Sequence, residues 1–170
     1  MKKIGIFYGS SSGNTQSVAE LIASKLNVDK SHVFDVAKAS AAQLLDYDLL
    51  LFGSSTWGVG DLQDDWEGFI GQLEKANLAG KQAAVFGTGD SSSYSDSFCD
   101  AIGAIADTAE KAGATLVGKG VGVSDYSFDD SQAVKDGAFC GLPIDDDNES
   151  DKTEERVNRW LEQIKNECGL

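Results

Sequence analysis

A serine-rich loop stands between the first apolar segment, residues 3–8, and a segment with helical spacing of apolar residues. It reads Gly9-Ser10-Ser11-Ser12-Gly13-Asn14-Thr15. Hydroxyl groups and the N–H groups at a helix N-terminus donate hydrogen bonds to anions, and a glycine allows close approach to the backbone. The loop has no Lys or Arg, so it is not a Walker A loop, and its glycine spacing does not give G-x-G-x-x-G. The loop therefore predicts a phosphate-binding site, but not one for a nucleoside triphosphate or a dinucleotide. The alternative is a helix capped by serine that binds no ligand.

Two further loops follow predicted strands and carry aromatic residues. One reads Ser55-Thr56-Trp57-Gly58-Val59-Gly60, and the other reads Thr88-Gly89-Asp90 and continues to Tyr94. A Trp in a Gly-rich loop and a Tyr among Ser and Asp are poorly placed to join a core. Ordinary packing is the alternative.

Short apolar runs alternate with segments of helical periodicity, which is typical of repeated βα units and a parallel sheet. We predict strands at residues 3–8, 33–36, 49–54, 83–87 and from 115–118, and helices at 15–26, 65–76, 97–112 and 152–167. Asp151 and Glu154 have the spacing of a capping box for the last helix. No linker or repeat divides the chain, so residues 1–170 are predicted to form one α/β domain.

Residues 120–137 break the βα rhythm. The segment holds two aromatic residues and several Asp but no helical pattern, and an apolar stretch follows it. We interpret it as an insertion that splits the fifth strand. Insertions of this length are often functional, and a plain surface excursion is the alternative.

The charge of the chain restricts its partners. It has 28 acidic and 14 basic residues, a net charge of −14, which disfavours nucleic acid and anionic membranes and favours basic proteins. No apolar run is long enough to span a membrane, and the N-terminal run is too short for a signal peptide. Three cysteines without a C-x-x-C pair argue against a disulfide framework or a zinc site, so we expect a reducing cytoplasm.

The three loops together resemble those of flavodoxins. Ser10-x-Ser12-Gly13-x-Thr15 is similar to the family's phosphate signature, and the other two loops match its flavin-binding loops in order and spacing. The split fifth strand resembles the long-chain branch. The resemblance covers essentially the whole chain and implies a doubly wound, five-stranded parallel sheet of order 2-1-3-4-5.

The resemblance also implies FMN as a cofactor, with its phosphate on the first loop and its ring between Trp57 and Tyr94. Asp147 would reach a ribityl hydroxyl. The implied cofactor-binding residues are Ser10, Ser11, Ser12, Gly13, Asn14, Thr15, Ser55, Thr56, Trp57, Gly58, Val59, Gly60, Thr88, Gly89, Asp90, Tyr94 and Asp147.

The function implied is that of a low-potential electron carrier, a monomer without catalytic residues or a metal, serving basic or positively patched redox proteins. An FMN-dependent NAD(P)H:quinone reductase of the same fold is the alternative, but Tyr94 should cover the ring face that such an enzyme needs. A receiver domain requires an Asp at the end of the third strand, where this chain has Gly53-Ser54-Ser55. A binding module without a cofactor is the remaining alternative.

Other residues have plainer interpretations. His32 stands alone in sequence and is predicted to be structural, and Cys99 to be a small apolar helix residue. The acidic run at residues 145–151 lacks the ligand pattern of an EF-hand. Asp61, Asp64, Asp65 and Glu67 are predicted to form an acidic rim beside Trp57 on which partners dock, extended by Asp125, Asp129 and Asp130. An ordinary solvated acidic face is the alternative.

Overall fold

A parallel sheet forms the centre of the computed structural model, which describes residues 2–57 and 60–170. Its strands are β1 (Ile4–Gly9), β2 (Val33–Asp35), β3 (Leu49–Trp57) and β5 (Gln82–Thr88). The fifth position is divided between β6 (Thr115–Leu116) and β10 (Leu142–Ile144), which both pair with β5. The short β4 (Asp61–Leu62) pairs antiparallel with the end of β3. The order is β2-β1-β3-β5, with β6 and β10 both beside β5. This confirms the predicted 2-1-3-4-5 sheet with a split fifth strand.

The α-helices of these described residues are α1 (Asn14–Leu26), α2 (Ala41–Leu44), α3 (Asp64–Lys75), α4 (Asp100–Lys111), α5 (Asp146–Glu149) and α6 (Thr153–Cys168). The helix predicted from residue 97 begins later, because Cys99 has a φ of 52° in the left-handed region. The predicted capping box of Asp151 and Glu154 is wrong. A 3-10 helix, Ser150–Lys152, runs directly into α6, so Lys152 is the N-cap residue and no side chain caps the helix.

The sheet is covered on both faces, which explains its continuously apolar strands. From β3, Leu50 and Phe52 pack in the layer of α3 and α4, while Leu49 and Leu51 pack in the layer of α1 and α6. All four side chains are 0% exposed, and burial of each contributes about 1.5–3 kcal/mol. The two layers hold the sheet rigidly, so the loops after β1, β3 and β5 leave the same edge at fixed positions.

The insertion between β6 and β10 forms a small antiparallel sheet of β7 (Val121–Gly122), β8 (Val134–Lys135) and β9 (Ala138–Phe139), in the order β7-β9-β8. Tyr126 and Phe128 pack on Phe139 of β9 and on Phe98, which directly precedes Cys99 and α4, with ring centroids 5.0–6.0 Å apart. The insertion therefore extends the core layer of α4 and is more than a surface excursion.

Candidate functional site

The loop after β1 enters α1 without a side-chain cap. Gly13 is the N-cap residue, with a φ of 96°, and its N–H donates to Ser10 Oγ at 3.1 Å. Within the described residues no side chain caps α1, so the serine-capped helix considered above is wrong. A Cβ on Gly13 would meet nothing within 4 Å. The positive end of the helix dipole therefore faces open space beside Gly13, where an anion can bind.

The end of β3 brings an unpaired hydroxyl and an exposed aromatic ring to the same edge. Ser55 Oγ is buried and finds no hydrogen-bond partner within residues 2–57 and 60–170. Thr56 Oγ1 accepts from the N–H of Ala101 at 3.0 Å and so caps α4. Trp57 is 43% exposed, and the predicted site residues Gly58 and Val59 lie outside the described part of the chain.

Gly60 resumes the described chain with a φ of 96°, and a Cβ on it would lie 2.5 Å from Asp100 Oδ2. Asp100 is buried, and its other carboxylate oxygen accepts from the N–H of Gln132 at 2.7 Å. Burial raises the pKa of Asp100 above its ordinary range. The chain needs a glycine here for both its conformation and its close approach to α4.

The loop after β5 is organised by Asp90. Its Oδ1 accepts from the N–H groups of Ser92 and Ser93, both at 3.0 Å, and from Asn148 Nδ2 at 2.9 Å. The hydrogen bond from Ser93, followed by that from Asn148, lowers the pKa of Asp90. Tyr94 is 46% exposed, and its N–H donates to the Asp90 carbonyl at 2.9 Å. Asp90 thus shapes the loop that presents Tyr94.

Helix α5 is the fourth segment of the site, beside the loops after β1, β3 and β5. Asp145, which is 0% exposed, is its N-cap residue and accepts from the N–H of Asn148 at 3.1 Å and from the Ser91 hydroxyl. Asp147 lies in the first turn of α5, and burial, together with the charges of Asp90 and Asp145, raises its pKa. The acidic run at residues 145–151 therefore contributes to the lining of the site and is not only a solvent-exposed turn.

These four segments line one open cleft of about 120 Å³. All of its lining residues belong to the predicted set: Ser12, Asn14, Ser55, Thr56, Trp57, Thr88, Gly89, Asp90, Tyr94 and Asp147. Ser10, Ser11, Gly13, Thr15 and Gly60 lie in the same loops without lining it. No Lys or Arg of the described chain lines the cleft, so an anion there would be held by N–H and hydroxyl groups.

Residues predicted to be uninvolved lie elsewhere. His32 Nδ1 is 2.8 Å from the Tyr47 hydroxyl, and the two rings meet edge-on. Cys99 is fully buried but precedes α4 instead of lying within it, which corrects its prediction as a helix residue. Among residues 2–57 and 60–170, no group of three or more His, Cys, Asp or Glu could hold a metal ion. No helix in the same part of the chain has the length and apolar character needed to cross a membrane.

Comparison with known proteins decides the family. The model of the family described as "Flavodoxin" matches residues 6–160. The chain belongs to the flavodoxin family. It is 43% identical over 169 residues to a flavodoxin of Nostoc sp., covering 99% of both chains, and 43% identical over 167 residues to flavodoxin 1 of Escherichia coli K12, covering 98% of this chain and 94% of the relative.

Solved structures agree. A Fusobacterium nucleatum flavodoxin, crystallised with flavin mononucleotide, superposes with a TM-score of 0.92 at 28% identity, covering 98% of this chain and 99% of that one. Oxidised flavodoxin 2 of Bacillus cereus gives a TM-score of 0.72 at 33% identity, covering 96% and 99%. This flavodoxin therefore shares its fold with these solved structures.

The acidic residues of this flavodoxin divide into exposed and structural groups. Asp61 pairs with Trp57 between β4 and β3, and Asp61, Asp64 and Glu67 are exposed. Asp65 is half-buried and accepts from Gln63 Nε2 at 2.8 Å. Asp125 forms ion pairs with Arg156 at 3.2 Å and with Lys152 at 3.7 Å. The negative charge of Asp125 is thus largely compensated, and it adds little to the rim.

Asp129 and Asp130 lie next to the Tyr94 loop. Their N–H groups both donate to the Ser95 carbonyl at 2.9 Å, and Asp129 Oδ2 accepts from the Ser95 hydroxyl at 2.9 Å. The insertion therefore braces the residue that follows Tyr94 and leaves two exposed acidic residues beside it.

Three residues that sequence reasoning missed hold the loops in place: Gln63, Asp145 and Asn148. Each makes its hydrogen bonds to residues of another loop or to the start of a helix. A local signal existed only for Asp145, which stands three residues before Asn148 in the position of an N-cap.

Proposed function

We propose that this flavodoxin carries electrons on non-covalently bound FMN between redox partner proteins. The observation that carries the proposal is the convergence, in one cleft, of the uncapped N-terminus of α1 with two exposed aromatic rings. The first suits a phosphate held without a cation, and the second suits a planar ring. FMN, when bound, supplies one-electron and two-electron redox chemistry.

The residues present fit that cofactor. The first-turn N–H groups of α1, with Ser12 and Asn14, would hold the phosphate, and Trp57 and Tyr94 would flank the ring system. Ser55 Oγ, buried and without a partner among the described residues, would gain one from the cofactor, and an unpaired buried hydroxyl is otherwise unfavourable. Asp147 would accept from a ribityl hydroxyl, and its raised pKa reflects a carboxylate partly withdrawn from water.

Electron transfer alone, without an enzymatic reaction of its own, is the second part of the proposal. Among the described residues that line the cleft, the only carboxylates are those of Asp90 and Asp147, and Asp90 is engaged by three donors. The side chains of Trp57 and Tyr94 would occupy both faces of the ring, leaving its edge for electron exchange. A quinone reductase needs one of those faces for nicotinamide and acceptor.

Partners are proposed to be basic or positively patched redox proteins that approach the ring edge. Asp61 pairs with Trp57 between β4 and β3. With the exposed Asp64 and Glu67 it would form the acidic rim, in a chain of net charge −14. Such a rim attracts positive surfaces and raises association rates. We propose that the protein acts as a cytoplasmic monomer.

The test is a reconstituted transfer assay. A basic, NADPH-dependent flavoprotein reductase should reduce cytochrome c rapidly only when the FMN-loaded protein is added. The FMN-loaded protein alone, mixed with NADPH and a quinone, should show negligible turnover. Quinone turnover without the reductase would replace the carrier proposal with the quinone reductase, and no stimulation of cytochrome c reduction by any basic reductase tried would contradict electron transfer.

A further inference from the structure

Gln63 lies between the α1 loop and the start of α3 with every hydrogen-bonding position of its amide in use. The residue is 1% exposed. Its Oε1 accepts from the N–H groups of Asp65 at 3.0 Å and Trp66 at 3.3 Å, which caps α3. Its Nε2 donates to Asp65 Oδ2 at 2.8 Å and to Ser11 Oγ at 3.0 Å. Backbone N–H groups only donate, so Oε1 must face α3 and Nε2 must face Ser11.

The side chain cannot move without disturbing its surroundings. A Cβ on Gly9 would lie 2.3 Å from Gln63 Oε1 and 2.6 Å from the Trp66 ring, so these groups fill the space beside the end of β1. Trp66 is itself fixed, because its Nε1 donates to the Gly53 carbonyl at 2.7 Å. The donor that reaches Ser11 is therefore held by two strands and a helix.

Ser11 is the one exposed end of this arrangement. It belongs to the loop that leads into α1, and its hydroxyl makes no other hydrogen bond within the described residues. Because Ser11 Oγ accepts from Gln63, the hydroxyl hydrogen stays free to donate. The bond ties a solvent-exposed loop to a rigid part of the fold on the side away from α1.

We propose that Gln63 is a positioning residue for the phosphate loop: its amide holds Ser11, and thereby keeps residues 10–13 in the conformation that leaves the α1 N-terminus open to an anion. The inference rests on the proposed function, since it assigns the α1 loop to the phosphate of FMN. Without the bond, the loop has freedom to fold its serines onto the first-turn N–H groups and so compete with the phosphate.

The experiment measures the affinities of the flavin-free protein for FMN and for riboflavin, which lacks the phosphate. Ser11→Ala removes the acceptor, and Gln63→Met removes the donor at similar volume. We expect each to lower the affinity for FMN about three- to tenfold, with the ratio of FMN to riboflavin affinity falling by the same factor in Ser11→Ala. Ser11→Thr keeps a hydroxyl and should restore the ratio, and Ser24→Ala, exposed further along α1, is the matched control.

The double variant shows whether Gln63 acts through its hydrogen bond to Ser11 or whether the two residues act independently. If Gln63 acts through Ser11, adding Ser11→Ala to Gln63→Met should change the ratio less than twofold further. Full additivity, or an unchanged ratio in Ser11→Ala, would overturn the proposal. So would equal losses for both flavins in Gln63→Met with no effect of Ser11→Ala, because Gln63 would then only cap α3. If Gln63→Met does not fold, Ser11→Ala and Ser11→Thr decide the matter.

A second titration distinguishes this proposal from the assignment of FMN. Inorganic phosphate is added to the flavin-free protein, and the amide NMR shifts of residues 11–16 are followed. If the protein binds phosphate there but no flavin, only the proposed function is contradicted. A weaker phosphate affinity in Ser11→Ala would then still support the positioning role of Gln63. Equal phosphate affinity in the native protein and in Ser11→Ala, or no phosphate binding at all, overturns the positioning role of Gln63.

Discussion

The hydroxyl groups of Thr15 and Thr88 lie 2.8 Å apart and join the first turn of α1 to the end of β5. The two residues are 73 positions apart in the chain, and their side chains are almost completely buried, at 1% and 4% exposure. The bond fixes the distance between the predicted phosphate loop and the loop of Tyr94. The site therefore exists as a shape before any ligand enters it.

Thr88→Val should destabilise the flavin-free protein by about 1–2 kcal/mol, because it leaves the buried Thr15 hydroxyl without its partner. Urea unfolding measures this. The double variant Thr15→Val with Thr88→Val should recover part of the loss, since no buried hydroxyl is then left unpaired. Thr115→Val, at an exposed position, is the control and should change the free energy of unfolding by less than about 0.5 kcal/mol. A simple sum of the two single effects in the double variant would contradict the coupling.

Trp57→Ala and Tyr94→Ala should each weaken FMN binding about tenfold or more, because an aromatic ring facing the flavin adds about 0.5–1.5 kcal/mol beyond the area it buries. Both side chains are nearly half exposed, at 43% and 46%, so the stability of the flavin-free protein should hardly change. Fluorescence titration with FMN gives the affinities. Leu45→Ala, with 52% exposure and outside the cleft, is the matched control; equal losses of affinity in all three variants would remove the aromatic pair from the site.

Asp90→Asn should destabilise the protein at neutral pH and progressively less in acid. Hydrogen bonds from Ser93, Asn148 and Ser92 hold the pKa of Asp90 below its ordinary value of 3.8, so its stabilisation is fully present above that value and is lost as the pH falls through the lower, folded pKa. The difference from the native protein should thus shrink from about pH 5 downward. Unfolding free energies across this range provide the check. Asp96→Asn, exposed on the same loop, serves as control, and a difference that is independent of pH would contradict the role given to the charge.

Asp64→Asn combined with Glu67→Gln should slow electron transfer with a basic partner at low ionic strength. The advantage of the native protein should fade as the Debye length shortens from about 30 Å at 0.01 M to about 8 Å at 0.15 M. Stopped-flow rates against salt concentration measure it. Glu74→Gln with Glu110→Gln removes the same charge from exposed positions away from the rim; if this pair slows transfer as much, only net charge matters and the rim has no special role.

The sheet and the cleft could be predicted because their signals are local. Strands buried on both faces read as continuous apolar runs, such as the one that includes Leu49 and Phe52. Parallel strands place the loops after β1, β3 and β5 at one edge whatever the details of packing. The predicted residues of those loops therefore include every lining residue of the cleft except Asp147, which only the resemblance to flavodoxins indicated.

The start of α4 could not be predicted, since its cap comes from a distant part of the chain. Thr56 accepts from the N–H of Ala101 across 45 residues, and Cys99 takes a left-handed conformation before the helix. The apolar periodicity of residues 97–112 indicates neither this hydrogen bond nor the left-handed conformation of Cys99. Gln63 was missed for the same reason, because its bond to Ser11 spans 52 residues and no pattern along the sequence records it.

The insertion illustrates the opposite case, in which a segment without periodicity is nonetheless well packed. Arg156 is 5% exposed; its guanidinium lies 3.9 Å from the centroid of the Tyr126 ring and pairs with Asp125 and Glu149. These contacts join the insertion to α5 and α6. Ion pairs and cation–π contacts depend on tertiary placement, so the sequence indicated only that the βα rhythm stopped.

Quantitative flavin analysis tests the central claim most directly. The flavin-free protein is titrated with FMN, FAD and riboflavin, and the cofactor of the protein as isolated is released and identified by chromatography. We predict one FMN per chain, bound more tightly than riboflavin because of the uncapped α1 N-terminus and more tightly than FAD because the cleft holds a single phosphate loop. A protein that is isolated with FAD, or that binds no FMN while Trp57 and Tyr94 are intact, would contradict the account.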